Sequence, residues 1–330
     1  MVSDLYNNDA PDANSVTSMV KRLQGLDPRR TAVFSDLTQT ILQQKPGGFP
    51  ESQKMAIKSL LDRGVFFSVV TGDRYPTVKR WMLEPLGYQG DGSIFVIAGS
   101  GYQVFEMQPG VEERELCRGR EVTLSGRRKL LAAARSLIHE VLEQTDFEFS
   151  AEELSGYFSA EGARYEFSKR IAALEEAFFV ELAPNKLTLI FPDHSKREGV
   201  SSRYMKELAL HPDVVGVAQT EALNTISAIT FLDVIASTKE EGMQALLSTA
   251  AASSFEVDKR DIVLIGDSTN DEGLLNFPFP DASRVTRVFV GSDEHFYENV
   301  LARHPAGRIY WLKGQFVEGT ELVLRAIGGD

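Results

Sequence analysis

The sequence predicts an α/β protein: a parallel sheet covered by helices on both faces, with a second, α+β unit inserted into the chain. Three observations carry this. Short runs at 31–35, 65–70 and 261–265 are apolar almost throughout and rich in β-branched residues, the pattern of strands buried on both faces. Each runs into a polar turn, and helical periodicity follows or precedes it; strands alternating with helices build parallel sheets. Between the second and third runs the pattern changes for about 120 residues, enough for a separate core.

In chain order, the polar and acidic start reads as a tail leading into a short helix at 16–26. The first strand, 31–35, ends in Asp36-Leu37-Thr38-Gln39-Thr40. A helix at 51–62 carries Met55, Ile57, Leu60 and Leu61 and stops at Gly64, the residue type that tolerates the left-handed turn after a helix. The strand at 65–70 leads into Thr71-Gly72-Asp73-Arg74 and a helix at 75–86. Residues 93–105 read as two strands hinged at Gly99-Ser100-Gly101. The inserted part holds a long amphipathic helix at 124–144, helices at 168–178 and 200–210, and strands at 186–191, 214–217 and 226–235. The parallel pattern resumes with a helix at 239–253, the strand 261–265, a strand at 287–290 and a C-terminal helix at 317–327. The expected domains are a tail and short helix, 1–30; a core, 31–111 with 235–330; and an inserted domain, 112–234.

Composition narrows the function. Apolar residues make up 43% and charged residues 25%, ordinary for a globular protein. A net charge of −12 argues against a nucleic-acid partner, because phosphate backbones are held by clustered cations. A small anionic substrate stays compatible, since a metal ion and a few local cations can reverse the field in a cleft. One cysteine, Cys117, allows no internal disulfide and fits a reducing compartment. Without a membrane-length apolar run or a signal-type start, the expected location is the cytoplasm, with no membrane partner. The five histidines show no ligand spacing, so none is assigned to a metal.

Ligands of open parallel sheets bind outside the carboxyl ends of the strands. Polar turns stand at the ends of the three runs above: Asp36-Leu37-Thr38, Thr71-Gly72-Asp73 and Asp267-Ser268-Thr269-Asn270-Asp271. If these strands are neighbours, several carboxylates meet at one place. Crowded carboxylates repel one another unless a cation sits among them, and hard oxygen ligands suit Mg²⁺.

The same residues resemble the haloacid dehalogenase (HAD) superfamily of phosphatases, in the capped Cof-like and sucrose-phosphate phosphatase-like branches. The resemblance rests on four motifs in order: Asp36-x-Thr38-x-Thr40 after a strand, Thr71-Gly72 at a strand end, Lys239 at a helix start, and Gly266-Asp267-Ser268-Thr269-Asn270-Asp271. It implies a Rossmann-like core with an inserted type-2 cap that selects substrate, because the long gap lies between Thr71 and Lys239. It implies that Asp36 attacks phosphorus and forms an aspartyl-phosphate. Asp36, the Thr38 backbone carbonyl, Asp267 and Asp271 would serve Mg²⁺, with Asp271 acting through water or by orienting Lys239. Thr71, Gly72, Lys239 and Asn270 would meet the substrate.

One departure stands out. The family's usual second aspartate of the first motif, its acid and base, is Thr38 here, and a hydroxyl is a poor proton acceptor. The implied function is a Mg²⁺-dependent phosphohydrolase acting on a small phosphorylated metabolite, with sugar phosphates as the leading class. Two alternatives stay open: transfer to an acceptor other than water, and phosphate-ligand binding without turnover. If turnover is retained, the base comes from elsewhere, from Asp73 or a residue of the inserted domain; otherwise Asp73 and Arg74 read as turn residues.

Overall fold

The computed structural model describes residues 15–43, 48–142, 163–166, 179–190, 209–227, 231–305 and 307–329. The chain forms two compact units: Met1–Arg118 with Lys239–Asp330, and Gly119–Thr238. The strands, in chain order, are β1 (Thr31–Ser35), β2 (Phe66–Val70), β3 (Ile94–Ala98), β4 (Gln103–Met107), β5 (Arg114–Arg118), β6 (Ala163–Glu166), β7 (Phe179–Ala183), β8 (Lys186–Ile190), β9 (Asn224–Ser227), β10 (Phe231–Ile235), β11 (Asp261–Gly266), β12 (Val285–Phe289) and β13 (Arg308–Trp311).

The first unit is built on an eight-stranded sheet in the order β13-β12-β11-β1-β2-β3-β4-β5. Neighbours from β13 to β3 pair in parallel, and β4 and β5 continue the sheet antiparallel. Successive residues of β1 enter opposite layers. Val33 joins Met19, Leu23, Ile57, Leu60 and Leu324 on one face, while Ala32 and Phe34 join Phe66, Phe95, Met243 and Leu246 on the other. Burying each large side chain removes it from water at a gain of about 1.5–3 kcal/mol. Both faces are therefore covered, as the uninterrupted apolar strands require. The helix Val16–Gln24 belongs to this packing, since Met19 and Leu23 are fully buried. Helices Glu51–Asp62 and Phe316–Gly328 are tied together by Gln53 Nε2 donating to the Val317 carbonyl at 2.6 Å.

The most useful consequence is the position of β1. It lies between β11 and β2 in parallel register, so the carboxyl ends of these three strands sit side by side.

The second unit holds a five-stranded antiparallel sheet, β6-β7-β8-β10-β9. Helices Leu124–Leu142 and Pro212–Glu221 pack together, and Leu130, Ala133, Leu187, Val214, Val217 and Val234 are buried within the unit. Its Thr188 hydroxyl donates to the buried Asp233 carboxylate.

Several expectations need correction. The expected strand at 214–217 is part of the helix Pro212–Glu221: a short β-branched run does not by itself distinguish a strand from a buried helix. Pro212 opens that helix, where a missing N–H costs nothing. The expected strand at 226–235 is an antiparallel pair, β9 and β10. The expected helix at 239–253 is two helices, Lys239–Leu247 and Ala250–Ser254; the Thr249 hydroxyl accepts from the Ala252 N–H and caps the second. Within 75–86 the helix widens into a π turn at Lys79–Leu83, because Pro85 lacks the N–H that would close the ordinary turn. The expected helix at 168–178 lies outside the described residues, as does all of 200–210 except its last two positions. Both unit boundaries fall later in the chain than 112 and 235, because β5 joins the first unit's sheet and all of β10 belongs to the second unit's. Among the described residues, no helix is long and apolar enough to cross a membrane.

Candidate active site

Asp36, Thr71 and Asp267 each follow directly on the last residue of β1, β2 and β11. The ladder continues past two of these ends: the Asp36 N–H donates to the Ile265 carbonyl at 2.9 Å, and the Thr71 N–H to the Ile97 carbonyl at 2.8 Å. The two side chains therefore start from backbone fixed by the sheet.

Beyond β11 the chain turns back on itself. One Asp271 oxygen, Oδ2, accepts from the N–H groups of Asp267 (2.8 Å) and Ser268 (3.1 Å). This return is possible because residue 266 is glycine; a Cβ there would lie 2.7 Å from the Asp271 Cβ. The other oxygen, Oδ1, accepts from Lys239 Nζ at 2.6 Å, and the same ammonium donates to Asp36 Oδ1 at 2.5 Å. Lys239 opens its helix, a position where the helix dipole disfavours a cation. The two carboxylates offset that. Its helix also lies tight against the turn between β3 and β4. A Cβ on Gly242 would come within 2.5 Å of the Gly101 Cα and of Ile97. Asp267 Oδ1 accepts from the buried Thr40 hydroxyl at 3.0 Å. Thr40 reaches it from a turn in which Gln39 takes a left-handed φ of 65°.

One oxygen from each of Asp36, Asp267 and Asp271 lies within 4.8 Å of the others, and all three residues are buried. The electrostatics follow. Burial, reinforced by the charge of Asp271, pushes the Asp36 carboxyl up to about 7 against the opposing pull of Lys239. Burial and the charges of Asp271 and Asp36 push Asp267 well above the usual carboxylate range. For Lys239 burial works against the ammonium, but Asp271 and Asp36 outweigh it and its pKa rises. One ammonium does not balance three carboxylates. The donor set, hard and oxygen-only, fits a small divalent cation.

A pH dependence follows. Asp36 has a folded pKa above its unfolded value, so its contribution to stability is full below about pH 4 and is lost as pH rises through about 7. In EDTA at pH 8, Asp36→Asn is expected to be more stable than the wild type by on the order of 1–2 kcal/mol, with the difference vanishing towards pH 4. Urea denaturation across this pH range measures it. An Asp36→Asn variant less stable than the wild type at pH 8 would contradict the electrostatic picture.

The second loop is arranged differently. The Thr71 hydroxyl is buried and accepts from the Asp73 N–H at 3.1 Å, which leaves its own proton available for donation. The Gly99 N–H donates to the Asp73 carbonyl at 2.7 Å, and the Ser100 N–H to the Thr71 carbonyl at 2.9 Å. Gly72 is half-buried within this turn. Thr38 is exposed, and its hydroxyl donates to Asp73 Oδ2 at 2.9 Å. Asn270 has its side-chain carbonyl oxygen buried without a hydrogen-bond partner. The structure thus gathers Asp36, Lys239, Asp267 and Asp271 into one cluster and joins Thr38 to the Thr71 loop through Asp73. Thr40 and Asp73 are the participants that sequence reasoning left without a firm role. Their partners are distant in the chain, and only the order of strands brings them together.

Solved structures share this fold. A protein described as a HAD/COF-like hydrolase from Plasmodium vivax is 13% identical, with 94% of this chain and 98% of that chain covered at a TM-score of 0.56. The C-terminal domain of trehalose-6-phosphate phosphatase from C. albicans is 13% identical, with 94% and 96% covered at 0.54. The N-terminally truncated IMP-nucleotidase of Plasmodium falciparum, bound to IMP, is 12% identical, with 93% and 70% covered at 0.52. No family model and no curated protein matches the sequence. The likeness to these three structures is one of fold.

Proposed function

We infer that the protein is a Mg²⁺-dependent phosphohydrolase that passes a phosphoryl group through Asp36. The observation that carries this is the buried Asp36–Lys239–Asp271 contact beside Asp267, at the carboxyl end of the central strands. Asp36 and Asp267, with the Thr38 backbone carbonyl, would hold the cation. Asp271, whose oxygens are engaged by Lys239 and the loop N–H groups, would act by orienting Lys239 and reach the cation through water. When bound, Mg²⁺ supplies neutralising charge for the phosphoryl oxygens.

The chain's own groups divide the remaining work. Asp36 forms a bond to phosphorus as the bond to the leaving oxygen breaks, giving an aspartyl-phosphate. Lys239 would offset charge on Asp36 and on the phosphoryl oxygens, and the Thr71 hydroxyl, whose oxygen accepts from the Asp73 N–H, would donate its proton to one of those oxygens. The Gly72 N–H and the Asn270 amide are assigned to the substrate. Water then attacks phosphorus, releases phosphate and restores Asp36. Positioning and charge neutralisation are what this reaction asks of a protein.

The substrate class is a small phosphorylated metabolite. Two structures of the same fold come from proteins named for trehalose 6-phosphate and IMP, which favours a phosphorylated sugar or sugar-containing compound. Selection among such compounds is assigned to the inserted unit, Gly119–Thr238, and the place of action to the cytoplasm. A second reading, transfer to an acceptor other than water, is favoured by Thr38 in place of a carboxylate two residues past the nucleophile. The purified protein is expected to release phosphate from an aryl phosphate, to lose that activity in EDTA, and to regain it with excess Mg²⁺. Release that EDTA leaves unchanged would contradict the reading.

A further inference from the structure

The reaction above leaves two proton transfers without an owner. The departing oxygen must gain a proton, and the attacking water must lose one. The groups of the buried cluster are already committed. Lys239 donates to Asp36 and Asp271. Asp271 uses both oxygens, one on Lys239 and one on the N–H groups of Asp267 and Ser268. Asp267 accepts from Thr40. Thr38, two residues past the nucleophile, offers only a hydroxyl.

That hydroxyl, however, is bound to a carboxylate. Thr38 Oγ1 donates to Asp73 Oδ2 at 2.9 Å. Asp73 lies outside the buried cluster and is only partly covered. Its backbone is fixed at both ends, by its N–H on Thr71 Oγ1 (3.1 Å) and by the Gly99 N–H on its carbonyl (2.7 Å). The loop that carries Thr71 therefore also brings a carboxylate to Thr38, two residues past Asp36.

We propose that Asp73 is the general acid and base of this site, with Thr38 as the positioning residue that turns its carboxyl towards the reacting oxygens. This rests on the hydrolase reading. In the first step Asp36 bonds to phosphorus, the bond from phosphorus to the leaving oxygen breaks, and that oxygen takes the proton of the Asp73 carboxyl. In the second step the Asp73 carboxylate takes a proton from water as the water oxygen bonds to phosphorus. The bond to Asp36 breaks, phosphate leaves, and Asp73 is again protonated. Atoms and charge balance, and no co-reactant besides water is needed.

The test is rapid-mixing kinetics of the full chain with Mg²⁺ on two substrates. p-Nitrophenyl phosphate has a leaving group that departs as the anion; glycerol phosphate has one that needs a proton. Asp73→Asn keeps the acceptor for Thr38 but not the transferable proton. It is expected to give a burst of p-nitrophenol equal to the enzyme present, then a steady rate about 10²–10⁴-fold below wild type. With glycerol phosphate it should give no burst. Adding Thr38→Asp to Asp73→Asn should restore the steady rate at least tenfold. An Asp73→Asn variant with the wild-type steady rate overturns the proposal. So does one that loses the burst along with the steady rate, since Asp73 would then serve binding or folding. A wild-type protein inactive on both substrates marks a different failure, that of the hydrolase reading, and removes Asp73's role with it.

Discussion

Asp36→Asn is expected to reduce phosphate release at least about 10⁴-fold while leaving the protein folded, the scale seen when a covalent nucleophile is removed. The argument is one of chemistry rather than packing. An asparagine carbonyl can still accept from Lys239, and the backbone N–H of residue 36 still pairs with Ile265. What disappears is the anionic oxygen that the proposed reaction requires to attack phosphorus. Stability should not fall, because a buried carboxylate crowded by Asp271 has been replaced by a neutral group. Phosphate-release kinetics beside a melting curve separate the two effects. Loss of activity together with loss of folding would leave the nucleophile unsupported.

Lys239→Met carries the second large effect, on stability and rate together. Its ammonium is the cation that bridges Asp36 and Asp271 at 2.5 and 2.6 Å, and all three groups are buried. Removing it leaves buried carboxylates uncompensated, a loss of about 3–5 kcal/mol in metal-free protein above neutral pH. Mg²⁺ should recover part of that stability, because it supplies positive charge to the same cluster. It should not recover the rate, expected to fall about 10²–10³-fold, because the proposed reaction assigns Lys239 the charge opposite the phosphoryl oxygen. Lys239→Arg is a poor substitute: the planar guanidinium does not replace a point charge held between two oxygens. Urea denaturation with and without Mg²⁺, beside kinetics, measures both halves. A variant restored in rate by Mg²⁺ alone would assign Lys239 a purely structural role.

Much of the core was legible because its physics is local. β1, β2, β3 and β11 are buried on both faces, so their residues are apolar without alternation and cannot be mistaken for loops. β5 escaped notice because Arg114–Arg118 lies at the sheet edge, with charged residues at an exposed or half-covered surface. β13 is only four residues long, and the helix Glu294–Arg303 buries only Phe296 and Val300. The run at 214–217 misled for the opposite reason: its helix packs against another, Val214 and Val217 are buried, and burial suits either secondary structure.

The site shows the same divide. Asp36, Thr71, Lys239, Asp267 and Asp271 stand at element ends, where spacing and order reveal them. The partnership of Thr38 with Asp73 spans two strands, as does that of Thr40 with Asp267, and nothing in the intervening residues encodes them. What the order of β11, β1 and β2 adds is the convergence itself: one sheet end where the carboxylates of Asp36, Asp267 and Asp271 meet the Lys239 ammonium, with a fourth, separate carboxylate on the β2 loop.

The most direct measurement is to locate the phosphoryl group during turnover. The wild-type protein is mixed with substrate and Mg²⁺, quenched in acid within the first turnover, reduced with borohydride, and mapped by peptide mass spectrometry. Borohydride converts an aspartyl-phosphate to homoserine, so homoserine at position 36 is the expected result. An unmodified Asp36 while phosphate is being released, or a phosphoryl group on any other residue, would contradict the account.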